Sequence, residues 1–153
     1  FNASDIYLHD SYYVIGHFHY VVAPGTIFGL FAGIYFWYPK ATGRFMNETL
    51  GKIHWIGSLI AMNLVFAPMF IQGLRGMSRR MYDGGTLYFG SGVGADPGIL
   101  TLNKVITHSA LMLAFFQLFF IWNFFWSLKS GKKVESDNPW EATTLDWQTP
   151  TPP

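Results

Sequence analysis

The chain has no cysteine, so it can form no disulfide, no thiolate metal site and no cysteine-ligated iron–sulfur cluster of its own. Charge is scarce too. Only 12% of residues are Asp, Glu, Lys or Arg, about half the usual share, and the net charge of +1 gives no case for a nucleic-acid partner. The sequence opens Phe1-Asn2-Ala3, with no basic region ahead of an apolar stretch, so no signal peptide is expected. It reads as a piece of a larger polypeptide, or as a split or processed product.

What the chain has in excess is apolar and aromatic surface, at 50% and 19% of its 153 residues. These residues gather into three blocks, which predict membrane-crossing helices over about 11–38, 53–74 and 99–128, with a polar tail over 129–153. From Tyr13 to Tyr38 only His17 and His19 titrate near neutral pH. Such a run is too long for a strand. At ~1.5 Å per residue it can cross a ~30 Å hydrocarbon core as a helix.

Pro24-Gly25 predicts a kink inside the first block, and Pro39 predicts its end. Tyr35, Trp37 and Tyr38 form an aromatic belt at its exit. Gly90-Ser91-Gly92-Val93-Gly94 lacks the Lys and Ser/Thr of a phosphate loop and predicts a flexible aqueous loop. The Pro-rich end predicts an extended, unpacked tail. Lys40, Arg44, Lys52, Lys129, Lys132 and Lys133 fall on one side of the three spans, which directs the C-terminus to the cytoplasm or matrix. Three helices carrying this many polar residues suit a larger bundle, because those residues must face something other than lipid.

On a helix, His17 and His19 leave about 200° apart, so one metal ion cannot take both. Either each is hydrogen-bonded to a neighbouring helix, or each serves a separate group flanking the helix. Neutral imidazole is a natural axial ligand for haem iron, so two haems bracketing the helix are one such arrangement. His9-Asp10 offers an imidazole and a carboxylate to a divalent ion, or an acidic residue to a helix N-terminus. Arg79-Arg80 is a solvated anchor, or a grip for planar anions such as haem propionates. His54 reads as an interfacial anchor. His108 reads as a structural hydrogen-bonding residue. Phe115, Phe116, Phe119, Phe120, Phe124 and Phe125 read as lipid-facing and packing surface.

The run His9-Asp10-x-Tyr12-Tyr13-Val14-x-x-His17-Phe18-His19-Tyr20 resembles the signature of haem-copper oxidase subunit I, the cytochrome c oxidase type. Gly76-Met77-x-Arg79-Arg80 resembles that family's propionate-binding segment. Asn138-Pro139-Trp140-Glu141-Ala142-Thr143-Thr144-Leu145-x-Trp147 resembles its bacterial-type members. Gly16 stands where the family commonly has Ala, and Val22-Ala23-Pro24-Gly25 departs from the animal-type sequence.

The resemblance implies an all-α membrane protein, the last three of twelve helices of that subunit. It implies a terminal respiratory oxidase that reduces O₂ to water with electrons from cytochrome c, coupled to proton pumping. A quinol oxidase subunit I and a non-catalytic membrane scaffold are the alternatives. By resemblance, His17 ligates the high-spin haem iron and His19 the low-spin haem iron. Arg79 and Arg80 hold the haem propionates, and His9 and Asp10 ligate Mg²⁺. Two haems of type a are expected, although the residues themselves are equally compatible with types b and o. The copper ligands lie on earlier helices in the family, so catalysis needs that N-terminal portion. Implied partners are the rest of subunit I, subunits II and III, cytochrome c or quinol, and the lipid membrane. The implied location is the bacterial plasma membrane or, alternatively, the mitochondrial inner membrane.

Overall fold

A computed structural model describes residues 2–91 and 95–152. A short helix α1 (Asn2–Leu8) leads into α2 (Tyr12–Val22), which passes through a π-helical turn (Ala23–Phe28) into α3 (Gly29–Thr42). Then come α4 (Glu48–Leu74), α5 (Thr86–Ser91), α6 (Pro97–Ser130) and a 3₁₀ turn (Leu145–Gln148). Three continuous stretches are long and apolar enough to cross a membrane: Tyr12–Thr42, Glu48–Leu74 and Pro97–Ser130. The shortest has 27 residues, so at ~1.5 Å each it reaches ~40 Å.

These helices outrun the boundaries expected from apolar content, and their caps explain why. Asn47 Oδ1 accepts from Leu50 N at 3.0 Å, and Glu48 pairs with Lys52 at 2.7 Å, so α4 starts five residues early. Asp96 Oδ1 accepts from Gly98 N at 3.0 Å, with Pro97 opening α6. Pro39 does not end the first span. It forfeits only its own N–H, and the helix runs on to Gly43, whose φ of +66° and bond to the Pro39 carbonyl at 2.8 Å close it. Around Pro24 the chain takes a wide π turn in place of a simple kink.

The chain forms two compact units. Residues 2–25 with the described residues of 59–114 make the first. In it, α2 lies against α4 at two glycines. A Cβ on Gly16 would meet the Phe66 carbonyl oxygen at 3.2 Å, and one on Gly73 would meet Tyr13 N at 2.1 Å. Small residues let membrane helices approach this closely. Segment 77–79 runs antiparallel to 10–12, with Tyr12 N donating to Met77 O and Arg79 N to Asp10 O, both at 2.9 Å. Where a loop was expected, α5 forms: Asp83 caps it through Gly85 N at 3.0 Å, and Phe89 is buried with Met77 and Ile99. Gly92–Gly94 of that loop lie outside the described residues.

Residues 26–58 and 115–152 make the second unit. Here the tail packs, contrary to the extended and unpacked end expected. Trp147 is buried. Lys40 Nζ, itself buried, donates to the carbonyls of Thr149 and Asp137 and to Thr151 Oγ1. Thr151 N donates to Asp137 Oδ1 at 2.8 Å, and Trp140 Nε1 to the Phe36 carbonyl at 2.9 Å. Arg44 bridges to Lys133, and Phe45 N bonds to Lys132 O at 2.8 Å, so the 43–47 loop and the start of the tail share one end of the unit.

Candidate functional site

Ser11 opens α2. Its Oγ accepts from Tyr13 N at 3.3 Å, so the helix-capping role considered for Asp10 falls to its neighbour. From there α2 is regular, which keeps His17 and His19 on nearly opposite sides.

His19 is half-buried, and its Nδ1 lies 2.8 Å from the Ile15 carbonyl oxygen. A carbonyl only accepts, so Nδ1 carries the hydrogen and Nε2 is left with a lone pair. Metal-bound histidines take this form, the second nitrogen donating to a carbonyl or carboxylate. Among the described residues nothing bonds to that Nε2. The ring is stacked on Phe66 of α4, with centroids 4.6 Å apart and planes 10° from parallel. His17 sits on an exposed face, and Phe18 between the two is 43% exposed. An apolar helix that turns an imidazole and a phenyl outward needs neighbours to cover them.

Asp10 and Arg80 are both held at positive φ, +54° and +66°. Arg79 Nε donates to Asp10 Oδ1 at 2.6 Å, and a second guanidinium nitrogen joins the same oxygen. His9 Nε2 lies 3.0 Å from Asp10 Oδ2. The Arg79 hydrogen bond holds the Asp10 carboxyl below the ordinary aspartate range. Desolvation opposes this, and the charges of Arg79, His9 and Arg80 reinforce it. The two residue pairs read separately from sequence are thus brought into one cluster. Arg79 is engaged by Asp10, while Arg80 is exposed.

The described residues contain no group of three His, Asp or Glu side chains able to hold a metal ion. His9 and Asp10 supply two donors, and Mg²⁺ takes about six. Among the described residues these two therefore do not by themselves make a metal site. The donor set fits haem better, because each iron needs only one imidazole from this helix.

Other predicted residues fall elsewhere. His54 is buried rather than interfacial. Its Nδ1 accepts from the Tyr35 hydroxyl at 3.2 Å, and its Nε2 donates to Gln117 Oε1 at 3.1 Å. His108 is exposed and donates from Nδ1 to the Lys104 carbonyl at 2.7 Å, a structural bond as expected. Phe66, the ring against His19, carried no signal in the sequence, since one Phe in an apolar helix is indistinguishable from packing.

The family described as cytochrome c and quinol oxidase polypeptide I matches residues 1–112. Cytochrome c oxidase subunit 1 of Synechocystis is 48% identical over 149 residues, covering 97% of this chain and 25% of the relative. The alternative cytochrome c oxidase subunit 1 of Bradyrhizobium diazoefficiens is 42% identical over 150 residues, covering 97% and 24%. Cytochrome c oxidase subunit 1 of Bacillus subtilis is 38% identical over 152 residues, covering 99% and 23%. The chain spans about a quarter of the length of these curated relatives. With three apolar spans and the histidine-bearing helix in place, this chain belongs to the subunit I family of the haem-copper oxidases.

Proposed function

We propose that this chain is the C-terminal, haem-holding portion of subunit I of a terminal oxidase that reduces O₂ to water and couples the reaction to proton translocation. Family membership implies haem and copper cofactors and partner subunits. The finer assignment is that His17 binds the iron of the high-spin haem and His19 that of the low-spin haem. When bound, these groups supply electron transfer and oxygen chemistry. The observation that carries the reading is a pair of imidazoles leaving one regular apolar helix on nearly opposite sides, one of them His19. Its Nδ1–H is spent on the Ile15 carbonyl, which fixes the tautomer and leaves Nε2 free to ligate.

In this reading α2 does the positioning. It presents the two imidazoles to opposite sides and keeps Phe18 between them. Arg79 and Arg80 supply positive charge near the N-terminal end of α2, where propionates would be held. Arg79, held in place by Asp10, and Arg80 would hold the propionates there. His9 and Asp10 contribute two ligands to a Mg²⁺ ion completed by other parts of the complex. The copper ligands and the remaining protein ligand of the low-spin haem would come from the N-terminal helices of subunit I. Subunits II and III complete the complex in a bacterial plasma membrane. Cytochrome c is the favoured donor, because the relatives named above are cytochrome c oxidases. Quinol is the second reading, because the family description covers both.

Replacing His19 by Ala in the assembled oxidase should remove the low-spin haem band from reduced-minus-oxidised spectra. Replacing His17 by Ala should abolish turnover with loss or misligation of the high-spin haem. An unchanged low-spin band in the His19 variant would refute the assignment.

A further inference from the structure

We propose that Phe66 is a positioning residue for His19, setting the plane of its imidazole, and that Gly16 sets how closely Phe66 stacks. The inference rests on the reading of His19 as a haem ligand.

The Nδ1–H bond to the Ile15 carbonyl fixes one edge of the ring, but a single hydrogen bond still lets the plane rock about it. Phe66 removes that freedom. Its ring lies face to face with the imidazole, 4.6 Å away and 10° from parallel. The neighbouring Phe18 ring is also close, tilted by 31° with its centroid 4.1 Å from that of the imidazole.

Phe66 is itself held by the helix crossing. Its own carbonyl oxygen is the atom a Cβ on Gly16 would meet, at 3.2 Å, and Met69 Cβ would lie at 3.3 Å. Gly16 and His19 are three residues apart on α2, so they share a face. The backbone of Phe66 therefore rests on Gly16 while its ring rests on His19. A methyl at position 16 would push that backbone away by a few tenths of an ångström and loosen the stack.

The orientation of an axial imidazole splits the iron d orbitals, so the partners that fix the ring tune the metal. The low-spin EPR signal reads that splitting directly, independently of turnover. The test is low-temperature EPR of the oxidised, assembled oxidase, with optical spectra on the same samples. Phe66→Leu should keep the low-spin band but shift the largest g value and broaden the line. Phe66→Tyr, which keeps the ring, should restore the parent g values. Gly16→Ala should shift the signal in the same direction by less.

Parent g values and linewidth in Phe66→Leu, with the band lost in His19→Ala, would overturn the stacking assignment alone. Survival of the low-spin band in His19→Ala would overturn the haem reading and this inference together. If Phe66→Leu does not assemble, Gly16→Ala carries the decision: an unshifted signal there refutes the proposal.

Discussion

His19 and His54 both sit on long apolar helices beside aromatic rings, and they have opposite fates. His54 has both ring nitrogens engaged, by the Tyr35 hydroxyl and by Gln117 Oε1. Gln117 passes the chain on to Ser58 Oγ at 2.9 Å. His19 has one nitrogen engaged, by a backbone carbonyl, and its Nε2 meets no hydrogen-bond partner among the described residues. Burial does not account for the difference, since His54, with both nitrogens engaged, is the more buried of the two. What separates them is whether side chains on adjoining helices consume the second nitrogen. A backbone carbonyl one turn back is available to any helical histidine, whereas a hydroxyl and an amide in the right places are not.

The sharpest way to break this contrast is to delete both rings. His19→Gly should lose the low-spin band, and added imidazole should restore part of it through the space left behind. His54→Gly should keep the band and not respond to imidazole. Recovery in neither variant, or a spectral loss in both, would erase the distinction.

A smaller effect is expected in stability. His54→Ala leaves the Tyr35 hydroxyl and Gln117 Oε1 without that partner, at a cost of about 1–3 kcal/mol, read as earlier thermal inactivation of the complex. Adding Gln117→Ala should cost less than the sum of the two single changes, because they share one network. Strict additivity would mean that His54 is simply packed.

The smallest effect is at Asp10. Its folded value lies below the ordinary ~3.9, so the Arg79 contact is fully present above that value. It is lost only as pH falls through the lower folded value. Asp10→Asn should loosen segment 76–80 at neutral pH, seen as faster hydrogen exchange at the Arg79 amide, while mild acid near pH 5 should leave the parent unchanged. Equal exchange in parent and variant would show that the backbone bonds alone hold the segment.

The histidine-bearing helix was legible because a long apolar run with only two titratable groups leaves few readings. Helix ends were less so. Asn47-Glu48 and Asp96-Pro97 are capping signals that lie outside the apolar blocks, and a reading led by hydropathy passes over them. Pro39 misled for the opposite reason: a helix-breaking residue near a C-terminus costs one bond that the following Gly43 cap outweighs. The tail was opaque because its order depends on Lys40, more than a hundred residues earlier than Thr149 and Thr151. His54 was misplaced because its two partners lie 19 and 63 positions away. In the candidate site, the charged and imidazole side chains were visible in the sequence, whereas the Phe66 ring stacked on His19 was not.

The crossing at Gly73 has a consequence for how the gene can drift. The space there is already filled by Tyr13 N, which would lie 2.1 Å from any added carbon. Every nucleotide change in the first two letters of a glycine codon encodes a larger residue or a stop. Codon 73 should therefore tolerate only silent third-letter change, and a saturation library selected for respiration should return a single amino acid at that position.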